Sequence, residues 1–220
     1  MPQHPDVLEI GPGDGSSPIY TEGIHDCARL LAGVDPDPAI ARNPHLDERY
    51  QCDIETFASQ QDRRTFDIVY SYMVIEHVAD PQPFLSSICK VLRPGGAFFA
   101  ATPNLTHYFG LASYVTQRIG LQEWLLYALR GRATAEGYHC STHYRMNTLA
   151  SLTKQLRLAR FCSVEFRMLE HPPDFACYFP RPLRFAAYAH SRLVYALKAP
   201  SLMGTIMFKA TRGHSEGGMT

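Results

Sequence analysis

Val7 to Ser17 reads V-L-E-I-G-P-G-D-G-S-S. An apolar run carrying one acid, Glu9, stops at three alternating glycines, Gly11, Gly13 and Gly15. Glycine has no Cβ and accepts positive φ, so a backbone built this way turns tightly and comes close to a ligand. The run before the glycines predicts a strand ending at Ile10, and Ser16 can cap a helix behind them. Strand, glycine turn and helix open a parallel α/β sheet, and such sheets take ligands beyond the carboxyl ends of their strands.

Spacing narrows this reading. The dinucleotide fingerprint G-x-G-x-x-G needs a glycine at position 16, where Ser16 stands. The pattern present is E-x-G-x-G-x-G from Glu9 to Gly15. It resembles the first motif of class I S-adenosylmethionine (SAM) dependent methyltransferases. SAM has no pyrophosphate, so the loop need not cradle phosphate. The resemblance implies that Glu9, Gly11, Gly13 and Gly15 lie beside the amino-acid tail and ribose of the cofactor. On this stretch alone, a glycine turn in another Rossmann-like sheet is the alternative.

A second strand over Arg29 to Val34 ends in D-P-D-P, with Asp35 20 residues after Gly15. A carboxylate there can accept from both hydroxyls of a ribose diol. The resemblance gives Asp35 that role, with Pro36 beside it; a turn acid is the alternative. A weak third strand, Arg49 to Cys52, leads to Asp53 and Ile54. In the family this acid faces the adenine amino group and the apolar residue packs on the ring. Phe66 to Tyr72, rich in β-branched and aromatic residues, predicts a fourth strand that ends at Ser71 and Tyr72, also assigned to the cofactor.

The next stretch, M-V-I-E-H-V-A-D-P from Met73 to Pro81, closely resembles the post-strand motif of the type 11 group of small-molecule methyltransferases. L-R-P-G-G-A-F-F-A, Leu92 to Ala100, is similar to the group's helix end, tight turn and fifth strand. These motifs follow one another in the family's order from Val7 to Asn104, nearly half the chain. In ubiquinone-pathway O-methyltransferases, E-x-x-E-H at this place can hold a divalent metal. Here Met73 replaces the first acid, and Glu76 with His77 offers too few oxygen ligands for magnesium, so no metal is expected. His77 then reads as a wall of the cofactor pocket or as a turn residue.

Past Asn104 the resemblance thins. Leu121, Trp124, Leu125, Ala128 and Leu129 recur at helical spacing, and residues 105–142 read as a helical cap inserted into the methyltransferase domain. Such an insert builds an acceptor pocket or docks on a membrane surface. Tyr138 to Thr148 returns to the family pattern with H-x-R at His143. His139, His143 and Tyr144 are expected at the open end of the sheet. His143, then His139, are the expected catalytic bases, with a structural hydrogen bond as the alternative for His143. Thr148 or Asn147 caps a helix through Leu158, Phe161 to Leu169 is the sixth strand, and H-P-P-D and F-P-R-P mark a long loop. Ser201 to Ala210 is the last strand, which in the family lies antiparallel beside the fifth.

Composition bounds the rest. The 220 residues are 45% hydrophobic, enough for a packed core, and no run suits a spanning helix or signal peptide. The six cysteines form no C-x-x-C pair, which suits free thiols in a reducing cytoplasm. The net charge is zero, yet residues 1–100 hold 7 Lys+Arg against 15 Asp+Glu, and residues 143–213 hold 11 against 3. The acidic part suits a cationic sulfonium, and the basic part an anionic or lipid-linked acceptor. No basic run is interleaved with aromatics, so nucleic acid is not expected. Jointly these readings predict a Rossmann-like seven-stranded, mostly parallel sheet with helices on both faces. The expected function is methyl transfer from SAM to a small-molecule or glycolipid acceptor at oxygen. N- or C-methylation and a non-catalytic SAM-binding protein are the alternatives; Ser16 disfavours a dehydrogenase.

Overall fold

In the computed structural model, residues 2–16, 23–60, 65–121 and 141–213 are described. Strand β1 (Asp6–Ile10) is buried along its whole length. A strand with this pattern needs neighbours on both edges and cover on both faces. It pairs in parallel with β2 (Leu30–Val34) and with β4 (Phe66–Tyr72). Beyond them come β3 (Glu48–Tyr50), β5 (Leu92–Pro103), β6 (Phe161–Leu169) and β7 (Thr205–Arg212), giving the order β3-β2-β1-β4-β5-β7-β6. β7 runs antiparallel to both β5 and β6. The expected α/β sheet with an antiparallel last strand is present.

Alternate side chains of the central strands feed two cores, as a period of two requires. Leu8, Ala32, Val69 and Phe98 face one side with Phe57, Phe84, Leu85 and Leu152. Three helices supply that layer: α1 (Ile54–Gln60), α2 (Pro81–Val91) and α4 (Leu149–Leu158), numbered in chain order with α3 (Tyr108–Arg118) between the last two. Val7 and Leu31 face the other side with Ile40 and Leu46. Phe98 is fully buried and meets the rings of Phe84, Phe161 and Phe208 at centroid distances of 5.3–6.5 Å. Rings at these spacings add attraction beyond the area they bury.

Helix starts follow the capping chemistry in the sequence. Asp80 accepts from Gln82 N–H, with Pro81 at the first helical position. Thr148, not Asn147, caps α4, and Ser151 completes a reciprocal capping box. Two readings change. Leu92 to Pro103 is one strand, and its Pro-Gly-Gly segment forms a bulge: Leu92 pairs with Phe66, while Ala97 pairs with Ile68. The H-P-P-D stretch is not plain loop. It opens a short helix, α5 (Pro172–Ala176), because prolines in a first turn lose no intrahelical bond. A longer helix, α6 (Phe185–Ala196), follows. The second helix expected in the insert, around Trp124, lies outside the described residues.

The amino edge of the sheet is closed by ions. Asp6 is buried and receives Arg29 at 2.5 Å and Arg93 at 2.8 Å, and Arg93 also holds Asp67 at 2.6 Å. Burial alone would raise the Asp6 carboxyl, but the two guanidiniums outweigh it and hold it below its ordinary range. The carboxyl edge is therefore the side left for chemistry. Thr148→Ala removes a side-chain cap from α4 and is expected to cost about 1 kcal/mol of stability. Urea denaturation checks this as a lower midpoint at unchanged slope.

Candidate functional site

The loop that ends β1 has Gly11, Gly13 and Gly15 at φ 74°, 58° and 77°. The three glycines differ in purpose. A Cβ on Gly11 would sit 2.6 Å from Val74 Cγ2, and one on Gly15 would sit 2.8 Å from Asn43 Oδ1. Those two let the loop pack on protein. A Cβ on Gly13 would meet nothing within 4 Å, so Gly13 marks the open side. Asp35, at the end of β2, accepts from Gly13 N–H at 3.0 Å through Oδ2 and from Asp37 N–H at 2.8 Å through Oδ1. This acid positions the loop, and each oxygen keeps a further lone pair for a ligand hydroxyl. Asn43, fully buried, donates to the carbonyls of Pro12 at 3.4 Å and Gly13 at 3.2 Å. Sequence reading missed Asn43 because no motif marks it; it follows a short 3-10 turn, Pro38–Arg42.

The other expected cofactor residues divide. Glu9 is buried on β1, in register with Gly33 and Tyr70, and Ser71 is buried at the end of β4. Pro36 is exposed next to Asp35. Asp53 is exposed and accepts from Thr56 N–H at 2.7 Å. The Thr56 hydroxyl first, and then this N–H, hold its carboxyl below the ordinary range, and the N–H bond starts the first turn of α1. Ile54 is 2% exposed and belongs to the core beside Phe57. The two neighbours thus differ in exposure, Asp53 open and Ile54 packed in the core.

A cavity of about 410 Å³ opens at the end of β4. Tyr72, Met73, Glu76 and His77 form one wall, and Phe109, Ser113, Tyr144, Phe175 and Tyr178 contribute to the other. Its described lining has two carboxylates, Glu76 and Asp174, and no Lys or Arg. Met73 and Tyr144 hold φ 54° and 51°, a left-handed backbone that non-glycine residues rarely adopt and that clusters at functional sites. The Tyr144 hydroxyl and Ser113 Oγ lie 3.2 Å apart. Glu76 is 5% exposed, and its Oε2 accepts from Thr102 Oγ1 at 3.1 Å. Asn147 Nδ2 in turn donates to Thr102 Oγ1 at 2.7 Å. Burial pushes the Glu76 carboxyl above its ordinary range, and the Thr102 bond only partly opposes that.

The expected bases fall differently. His77 lines the cavity, with Nδ1 3.0 Å from the Ser141 carbonyl. His143 is exposed and absent from the lining; its N–H donates to the Glu76 carbonyl at 2.7 Å, as Tyr144 N–H does at 3.1 Å. The loop arrives where expected, but the left-handed turn at Tyr144 points the tyrosine inward and leaves His143 outside. His139 lies outside the described residues.

A family model described as a methyltransferase domain matches residues 2–162. The chain belongs to that family. With the sheet order above, it is a class I, Rossmann-like methyltransferase domain, whose cosubstrate is SAM. A probable SAM-dependent methyltransferase of Mycolicibacterium smegmatis is 38% identical over 104 residues, which is 45% of this chain and 38% of that protein. The human mitochondrial ubiquinone biosynthesis O-methyltransferase is 34% identical over 111 residues, 46% of this chain and 29% of that protein. Each match therefore spans well under two thirds of the relative's length. Phosphoethanolamine N-methyltransferase 2 of Haemonchus contortus superposes with a TM-score of 0.57 at 16% identity, covering 97% of this chain and 50% of that one. That likeness shows the fold.

Asn43→Ala would leave the Pro12 and Gly13 carbonyls without their buried donor. It is expected to destabilise the chain by about 1–3 kcal/mol. Chemical denaturation of the purified variant checks this.

Proposed function

We propose that this chain transfers the methyl group of SAM to a small-molecule acceptor, at oxygen, in the cavity at the end of β4. The carrying observation is a juxtaposition: the glycine loop braced by Asp35 ends β1, and the cavity with its buried Glu76 begins where the neighbouring strand β4 ends. SAM lies along the open side of Gly13, with its ribose hydroxyls on Asp35. The sulfonium is already a strong electrophile, so the protein's task is alignment and exclusion of water. The acceptor oxygen attacks the methyl carbon in line, the C–S bond breaks as the C–O bond forms, and S-adenosylhomocysteine leaves neutral. The hydroxyl proton passes to Glu76, whose raised carboxyl makes it a better base near neutral pH than an ordinary glutamate. Tyr144 and Ser113 orient the acceptor. A lining that has, among the described residues, two carboxylates and no Lys or Arg supports a neutral acceptor over the anionic one that the charge pattern suggested.

A second reading is an amine acceptor. A buried carboxylate among aromatic rings also suits an amine that binds as its ammonium and gives a proton to the carboxylate before its lone pair attacks the methyl carbon. The two readings separate in one experiment: conversion of SAM to S-adenosylhomocysteine against hydroxyl and amine panels, with wild type and Glu76→Gln. If oxygen is methylated, the variant keeps SAM affinity and loses about 10²-fold or more of its turnover number. The wild-type rate then falls as pH drops through the raised Glu76 value, above the usual 4.3 or so, because only the ionised carboxylate accepts the proton. Unchanged turnover in the variant removes Glu76 as base. A higher KM for amines at constant kcat favours the second reading.

Gly13→Val tests the cofactor side. A valine there would fill the open space beside the loop and would also be strained at φ 58°, so calorimetry is expected to find SAM binding abolished while circular dichroism shows the domain still folded. Wild-type affinity in that variant would take Gly13 out of the site.

A further inference from the structure

Behind the wall of the cavity lies a second group of polar side chains that the methyl-transfer reading does not use. His107 precedes α3, Glu170 follows β6 and His190 lies on α6. Their side chains are 1%, 0% and 23% exposed. Glu170 Oε2 accepts from Gly204 N–H at 2.7 Å. It also faces two imidazoles: His107 Nε2 at 3.6 Å from Oε2 and His190 Nδ1 at 3.5 Å from Oε1. Both are too long for hydrogen bonds, which run about 2.7–3.2 Å for nitrogen and oxygen. His107 Nε2, Glu170 Oε1 and His190 Nδ1 are all buried without a hydrogen-bond partner, and so is the neighbouring Tyr108 hydroxyl.

We propose that His107, Glu170 and His190 form a structural binding site for a divalent transition-metal ion of the zinc type. Metal–ligand arms of about 2.0–2.2 Å at tetrahedral angles put ligand atoms about 3.3–3.6 Å apart. Each imidazole stands at that spacing from one Glu170 oxygen, His107 from Oε2 and His190 from Oε1, so a small shift of the carboxylate closes the set. The three donor atoms lie within 4.8 Å of one another. Two imidazoles and one carboxylate are a donor set that zinc accepts and magnesium does not favour. A buried carboxylate with no Lys or Arg partner among the described residues needs a positive charge, and a dication between the rings supplies it. Water or the Tyr108 hydroxyl completes four-coordination, and the part-exposed His190 gives the ion a way in. One contact opposes the site: His107 Nδ1 accepts from Phe109 N–H at 3.3 Å. Coordination through Nε2 moves the ring proton to Nδ1 and gives that long contact up. The rival arrangement holds the cluster by protons alone, as a His190 imidazolium paired with Glu170. The ion would tie α3, α6 and the start of β7 together behind Phe175, whose ring centroid is 4.4 Å from that of His107 and which lines the cavity. It would touch neither SAM nor acceptor.

The test uses the whole 220-residue chain, stripped with a chelator and titrated with zinc. The expected result is one zinc per chain by elemental analysis and a higher melting temperature on loading. Glu170→Gln keeps the side-chain shape and the acceptor for Gly204 N–H, and His190→Ala alters a part-exposed position. Each is expected to weaken zinc by about 100-fold or more, since even outer-shell changes cost 10–100-fold. SAM affinity stays at the wild-type value, which shows that the variants fold. Cobalt substituted for zinc should show tetrahedral visible bands without thiolate charge transfer, which separates this site from the cysteines. No uptake and no change in melting temperature would overturn the proposal in favour of the proton-held cluster. Equal zinc binding by wild type and both variants would overturn it by placing the metal elsewhere.

Discussion

One carboxylate at the end of β2 sets the shape of the turn that ends β1. Asp35 accepts from the Gly13 N–H across 22 residues of sequence, while Asn43 holds the same loop through the carbonyls on its other side. A loop with three left-handed glycines loses much backbone entropy when it orders, so it needs partners that fix it. Both partners are side chains of the neighbouring strand and the turn after it. The site is thus a property of two adjacent βα units and not of the glycine motif alone. The loop therefore depends on the register of β1 with β2: a slip of one residue would turn Asp35 away from it.

Much of this was legible in the sequence because it is local. The strands over Phe66–Tyr72 and Phe161–Leu169 declare themselves by composition and alternation, and the helices after Asp80 and Thr148 by their caps. The tight turn of the glycine loop and the place of Asp35 at the end of β2 were readable because spacing carries them. What was not legible depends on how a turn points its side chains. Asp53 and Ile54 are adjacent, yet the first turn of α1 exposes one and buries the other. His143 and Tyr144 are adjacent, yet a left-handed φ at Tyr144 leaves the histidine outside. The His107, Glu170 and His190 cluster spans 84 positions and joins α3, β6 and α6, so no sequence pattern could reveal it.

Charge shows the same limit at larger scale. The excess of bases over residues 143–213 suggested an anionic acceptor. In the fold, Arg145, Lys154, Arg157, Arg160 and Arg167 are exposed. None of them is in the described lining of the cavity, which holds one acid from each part of the chain, Glu76 and Asp174. The reason is topological. β7 returns between β5 and β6, so the carboxyl-terminal segment completes the sheet and sends α5 over the open end of β4 and β5. A long basic side chain there would be held at the surface by its own hydration, with its stem on apolar neighbours. A carboxylate on a short side chain can be buried at tolerable cost where a hydroxyl donor stands ready, as Thr102 does for Glu76. The chemistry of the cavity therefore comes from which few groups can be buried there, and regional charge balance does not determine it.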